Sequence, residues 1–525
     1  MSRRSLASAS QFLAGRRQFL LSGASLAMLP WLGSIATGAV QRKPSFSHNP
    51  FPLGVASGDP TPDGVVLWTR LAPQPLAGGG LPPETYEVTW EVAEDDGLKR
   101  IVRQGKALAT PQLGHSVHVE LEGLKPDRWY WYRFSIADAQ SPIARTRTTP
   151  AWDVTPPKLR FAFASCQHYE SGLYTAYQHM ACEELDLVVH LGDYIYENGG
   201  RENRVRRHHG EEIISLDDYR NRHAQYKTDP LLQAAHARCP WLLVWDDHEV
   251  DNNYAGDISE KPEVSNAELL LRRANAYQAY YEHMPLRRTA LPFGPNMNLY
   301  RSIPYGQLVD FSMLDTRQYR TDQPNDDRPG PLVGDFVDPS ATLLGDKQEG
   351  WLMNTLLKST AEWNVLGQQV MMARVDFGPG AEQKFGSDIW SGYDVARKRL
   401  LKFIAERKIP NPIVITGDIH SNWVNDLKID FDRGDDPTVA TEFVGTSISS
   451  DGNGSREVKS VSDRLAENPF VRFFNAERGY VSCTVTPHTW RSDYQVVEYV
   501  DKPGAPLVTR KSFVVESGQP GAKTA

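Results

Sequence analysis

Four short stretches carry the side chains with the most chemistry. "ASCQH" places Cys166 near His168, and "HLGDYIYE" puts Asp193 three residues before Tyr196. "VWDDHEVDNN" runs Asp246, Asp247, His248 and Glu249 together, and "TGDIHSNW" joins Asp418 to His420. Each has a plain reading by itself: tyrosines packed on a core, a solvated acidic loop, a turn with a buried histidine, a small buried thiol. Together they offer a thiol, a phenol, several carboxylates and imidazoles. Adjacent carboxylates repel one another unless a cation neutralises them, so the joint reading is a metal site.

That reading requires elements that bring the four stretches to one place. Each follows a short apolar run: "LRFAFASC", "LDLVVHLGD", "WLLVWDD" and "PIVITGD". Such runs, ending abruptly in polar residues, predict buried strands. Helical patterns lie between them. "SNAELLLRRANAYQAYYEHM" opens on a Ser265–Glu268 capping box, and its Tyr277, Tyr280 and Tyr281 stand at core spacing. "SGYDVARKRLLKFIAERKI" is a second amphipathic helix. Strand, loop and helix in alternation predict an α/β domain, layered α/β/α, over residues 157–515, with antiparallel strands in its tail. Ligands in such sheets gather beyond the carboxyl ends of the strands, where all four stretches fall.

Residues 49–151 read differently. "VVLWTRL", "YEVTWEVAE", "SVHVELEGL" and "WYWYRFSI" alternate apolar and polar residues between turns, which predicts a fibronectin- or immunoglobulin-like all-β sandwich. In "LKPDRWYWYRF", Tyr130 is the candidate corner tyrosine whose hydroxyl bonds back to the chain. The prolines of "TTPAWDVTPP" mark a linker.

Residues 1–40 read as an address. Arg16-Arg17 precede Phe19-Leu20 and a mild apolar stretch ending in small residues. This resembles a twin-arginine-type signal, whose machinery exports folded proteins; an ordinary secretory signal is the alternative. No later run is long enough to span a membrane, so the expected mature protein is soluble, secreted or periplasmic. With 525 residues the chain exceeds one ordinary core, and its net charge of -8 argues against a nucleic-acid partner. Four cysteines make no disulfide scaffold; one bond is open after export, its pairing among Cys182, Cys239 and Cys483 unspecified.

The motifs resemble those of the PhoD-like alkaline phosphatases and phosphodiesterases, within the metallophosphoesterases. The matching text includes "FPLGVASGDPTPDGVVLWTRL", "FASCQ", "LVVHLGDYIYE", "VWDDHEVDNN", "FSMLDTRQYR", "WNVLGQQVMM" and "VITGDIHSNW". The resemblance implies that Asp193 bridges two metals and that Tyr196, Cys166 and His420 bind ferric iron. A tyrosine hydroxyl ionises near pH ~10 and ligates at neutral pH only beside a strongly acidic cation. Asp418 and Asp247 stand where wider relatives carry histidine and asparagine, a change that shifts the second metal from zinc toward Ca(II). Gln369 and Asp246 are further candidate ligands. The implied reaction is phosphate-ester hydrolysis, mono- or diester, by a metal-activated hydroxide. His248 would protonate the leaving group, and Arg201 and Asn253 would contact substrate. No phosphoenzyme is expected, because Ser447 completes no nucleophile elbow.

Two rivals stay open. One is a zinc or manganese phosphodiesterase, phospholipase D-like, on the same scaffold. The other is no enzyme at all, but a secreted adhesive β-domain protein with structural metals.

Overall fold

The computed structural model describes residues 40–457 and 465–525. The expected export signal, save its final Val40, lies outside the described residues. Two large mixed sheets form the body. The first runs Ser116–Leu121, Gly64–Arg70, Val55–Thr61, Trp241–Leu243, Leu187–His190, Leu159–Ala164 and Val471–Val485. It continues through Thr489–Val497, Leu507–Glu516 and Gln519–Thr524 as an antiparallel tail. The second runs Arg301–Tyr305, Val309–Met313, Trp363–Gly367, Pro412–Thr416, Ala440–Val444 and Asn422–Leu427. It ends on the front part of the same Val471–Val485 strand.

The layering is therefore helix, sheet, sheet, helix, the α/β architecture that the sequence pattern predicts, with two sheets between the helices. Phe161 of the first sheet meets Phe311 of the second edge to face at 5.2 Å, and Trp363 lies 5.9 Å from Trp490. Alternation along the second sheet explains its two packed faces. Val365, Ile413, Ile415 and Phe443 join the core between the sheets. Leu366, Val414 and Val444 join a separate core with the helices Gly345–Lys358 and Asp394–Arg407. Helices Leu216–Lys227, Pro230–His236 and Asn266–His283 cover the first sheet. The last begins with the predicted Ser265–Glu268 capping box, and its Tyr277, Tyr280 and Tyr281 are buried.

At the amino-terminal end a five-stranded sheet is built on Tyr86–Ala93, Ile101–Ala109 and Trp129–Ile136. Its Val88, Val92, Tyr132 and Phe134 pack on Val65, Leu67 and Val117. The Lys125 amide donates to Tyr130 Oη at 3.0 Å, the predicted tyrosine corner. The facing sheet is not independent. Strand Val55–Thr61 pairs in parallel with Trp241–Leu243 at Gly58 and Trp241, so it is also the edge of the first large sheet. All four cysteines are free thiols. Among the described residues no helix is long and apolar enough to cross a membrane.

Candidate metal centre

Strands Leu159–Ala164, Leu187–His190 and Trp241–Leu243 of the first sheet and Pro412–Thr416 of the second all end at one seam. The loops beyond them are locked together. The Cys166 amide donates to Gly192 O at 3.1 Å, and the Gln167 amide to Asp193 O at 3.0 Å. Cys166, Asp193, Asp418 and His420 all have left-handed backbones, with φ of 59°, 55°, 62° and 53°. Non-glycine residues sit there at a cost that the surrounding structure must offset. Two glycines make the approach feasible. A Cβ on Gly192 (φ 112°) would lie 2.5 Å from Asp246 Cβ, and one on Gly417 2.5 Å from Ser165 Oγ.

Within this seam the ligating atoms of Cys166, Asp193 and His420 lie within 4.8 Å of one another. The same holds for Asp193, Asp247 and His248, and for Asp246, Asp247 and Asp418. Asp193 thus belongs to two groups. Tyr196 Oη is 2.7 Å from Asp193 Oδ2 and 3.3 Å from His420 Nε2. Three buried carboxylate oxygens, Asp193 Oδ1, Asp246 Oδ2 and Asp247 Oδ1, have no hydrogen-bond partner among the described residues. Buried carboxylate oxygens without a hydrogen bond are costly, and oxygen donors in this number fit hard cations.

The electrostatics say the same. Burial, then the Asp193 charge, pushes the Cys166 thiol and the Tyr196 phenol well above their ordinary ranges. Burial also raises Asp418, to about 7, with Asp247, Asp388 and Asp193 adding to it and Arg317 opposing. Burial opposes the charging of His420, but Asp193 and Asp451 outweigh it and raise the imidazole to about 9. Protein groups alone therefore hold protons on atoms that a cation would displace.

Each remaining candidate has a definite place. His248 Nδ1 is 2.7 Å from Glu197 Oε2, its ring lies 4.1 Å from that of Tyr196, and it lines a cavity of about 510 Å³ over the seam. Burial works against protonation of His248, yet Glu197, Asp193 and Asp247 raise it well above the ordinary imidazole value. Arg201 lines the same cavity. The Asn253 amide donates to Asp247 Oδ2 at 2.7 Å, and Asn253 has a φ of 50°. Gln369 is committed elsewhere. Its Oε1 accepts from Thr316 N and Oγ1 at 3.0 and 2.7 Å, and its Nε2 donates to Leu314 O. Its side chain holds the 314–316 turn.

Sequence reasoning assigned no role to the residues that hold these groups. Glu249 accepts the amides of Asp193, Tyr194 and Asp246 at 3.1, 2.5 and 2.8 Å. Arg317, fully buried, donates Nε to Asp246 at 2.5 Å and Nη1 to Asp388 at 2.8 Å. Its Nη2 stands 3.8 Å from Asp247 and 3.7 Å from Asp418. Asp451 fixes His420 through Nδ1 at 2.7 Å, and Ser450 Oγ is 2.7 Å from Tyr196 Oη. Asp451 and Ser450 come from a loop more than two hundred residues from Tyr196 in sequence, and no motif announces them.

Two face-to-face sheets that converge on a cation-ready rim define a metallohydrolase-like centre, and the comparisons give the family. The model of the family described as PhoD-like phosphatase matches residues 161–494, and that of the PhoD-like phosphatase N-terminal domain matches residues 37–150. The chain belongs to the PhoD-like phosphatase family. It is 51% identical over 518 residues to alkaline phosphatase D of Bacillus subtilis (strain 168), covering 97% of this chain and 88% of the relative. A solved structure described as "Structure of PhoD" matches with a TM-score of 0.90 at 53% identity, over 92% of this chain and 93% of that one.

Proposed function

We propose that the protein is a metal-dependent phosphoric ester hydrolase, an alkaline phosphatase with phosphodiesterase activity, exported through a twin-arginine signal. The observation that carries this is Asp193. It is buried, shared by two candidate ligand groups, and has one carboxylate oxygen without a hydrogen-bond partner among the described residues. The relative named as a phosphatase supports an enzyme over an adhesive module. Cys166, Asp193, Tyr196 and His420 would hold Fe(III), since a thiol and a phenol lose their protons at neutral pH only to a strongly Lewis-acidic ion. Asp193, Asp246, Asp247 and Asp418 would hold Ca(II), since their donors are all carboxylate oxygen. Zinc or manganese alone leaves the phenol without a reason.

Bound cations supply the positive charge that offsets phosphoryl oxygens and readies a water for attack. The chain's own residues do the rest. Arg201 draws the phosphate into the cavity through its guanidinium. Glu197 holds His248 by Nδ1, which leaves Nε2 to deliver a proton to the departing oxygen. The Asn253 amide keeps Asp247 oriented from behind.

Elemental analysis and a visible spectrum of the exported protein test the metals together, alongside hydrolysis of p-nitrophenyl phosphate and bis-p-nitrophenyl phosphate. Iron, calcium and a tyrosinate absorption band that disappears in Tyr196→Phe are expected. A colourless active enzyme overturns the iron assignment, and failure to cleave either ester overturns the activity.

A further inference from the structure

The loop 198–210 forms one wall of the cavity and carries four arginines, Arg201, Arg204, Arg206 and Arg207. Two are spent on structure. Arg206 is bound by Tyr169 O at 2.9 Å, Gly172 O at 2.6 Å and Asp229 Oδ2 at 2.6 Å, with its guanidinium 3.8 Å over the Tyr169 ring. Arg207 pairs with Glu202 at 2.6 Å. Among the described residues the Arg201 side chain makes only a long contact, to Asn198 Oδ1 at 3.4 Å. Arg204 has no side-chain partner among the described residues, and both line the cavity with Tyr196 and His248.

A glycine-flanked basic loop reads as mobile, but one buried residue pins it at three points. Glu170 Oε1 accepts the Arg201 amide at 2.8 Å and the His208 amide at 2.9 Å, and Glu170 O accepts the Val205 amide at 3.1 Å. The side chain of Glu170 is wholly buried, and its Oε2, 3.9 Å from His208 Nδ1, has no hydrogen-bond partner among the described residues. A carboxylate accepting backbone N–H groups makes stronger bonds than a neutral acceptor. The contacts span residues 201 to 208 and so fix the backbone on both sides of Arg204.

Resting on the phosphate-ester reading of the cavity, we propose that Arg204 is a second contact for the substrate's phosphoryl oxygens. Glu170 is then the positioning residue that holds Arg201 and Arg204 over them. Two guanidiniums on a preorganised loop bind an anion without the entropy loss of ordering it.

The test uses the metal-loaded full chain with Arg204→Ala, Glu170→Gln, Glu170→Ala and the Glu170→Ala/Arg204→Ala double variant. Readouts are KM and kcat on p-nitrophenyl phosphate and the calorimetric affinity for inorganic phosphate. Arg204→Ala should weaken both KM and phosphate affinity by about ten-fold, the scale of one charge-assisted contact, with kcat within about two-fold. Glu170→Gln keeps one oxygen acceptor for the amides and should stay within about three-fold of wild type, while Glu170→Ala should match or exceed the loss in Arg204→Ala. The double variant should be no worse than Glu170→Ala, because a misplaced arginine has nothing left to lose.

Unchanged phosphate affinity in Arg204→Ala overturns the contact. Additive losses in the double variant, or a Glu170→Gln as weak as Glu170→Ala, overturn the positioning role. If the wild type cleaves no ester, the reading of the function fails, while phosphate affinity across the same variants still decides the two residues. If Glu170→Ala does not fold, Glu170→Asp, whose shorter side chain withdraws its oxygen from the Arg201 and His208 amides, replaces it in the same comparisons.

Discussion

Removing the Glu249 side chain should loosen two ligand loops at once. Its Oε2 accepts the amides of Asp193 and Asp246, and its Oε1 accepts that of Tyr194. Glu249→Ala leaves three buried N–H groups without acceptors. Each such group costs about 1–3 kcal/mol, so the loss is about 3–9 kcal/mol, against a total stability of about 5–15 kcal/mol for a typical domain. Water entering the vacated space moves the cost toward the lower end. Glu249→Gln keeps one oxygen and turns an amino group toward one amide, so about 1–3 kcal/mol is expected. Guanidinium denaturation of the metal-loaded protein should rank wild type above Gln and Gln above Ala, at constant m. Aryl phosphatase turnover should fall in the same order, because a shift of ~1 Å in a site costs on the order of a hundred-fold. A Glu249→Ala protein with wild-type midpoint and wild-type turnover would refute the clamp.

Four further outcomes follow from the same geometry. His248→Asn should lower kcat by about 10²–10⁴ on alkyl phosphates and far less on nitrophenyl phosphate, whose leaving group needs no proton; equal losses on both exclude the acid role. Asp451→Asn should reduce metal affinity by about 10–100-fold through a misaligned His420, checked by elemental analysis after dialysis. Gly192→Ala should destabilise by roughly 2–4 kcal/mol, from left-handed strain and the clash with Asp246, read as a lower midpoint. Lys227 is buried with its ammonium 4.3 Å from the Trp68 ring centroid, and burial lowers its pKa from 10.5 to about 7. Between those values the unfolded chain holds a proton that the folded chain lacks, so this group makes stability rise with pH from about 7 to 10.5. Lys227→Met should flatten that part of the urea-midpoint curve, and an unchanged slope rejects the account.

The convergence of the candidate ligands was legible because they sit directly after apolar runs. Cys166, Asp193, Asp246 and Asp418 each follow a strand, and the rule that such ends converge needed no partner information. The capping box at Ser265 and the corner at Tyr130 were legible for the same reason, since their contacts lie within five residues. What escaped was long-range. Arg317 reaches Asp246 across 71 positions, and Asp451 reaches His420 from a loop with no chemical signature of its own. The second sheet escaped too, because a strand pattern reports burial on both faces but not which neighbour covers each. Gln369 looked available as an amide in "LGQQV", and only the Thr316 contacts reveal that its oxygen is taken.

Strand Val471–Val485 changes sheets within a few residues: Asn475 pairs with Asn422, whereas Arg478 pairs with Val497. Its later part then pairs with Leu159–Ala164, with Val481 opposite Phe163. During synthesis the sulfur and the shared carboxylate emerge hundreds of residues before the segment that fastens their sheet to the imidazole's. Loop closure over so many residues is slow. Backbone pairing between the two sheets that carry the candidate ligands is therefore completed by the last tenth of the chain.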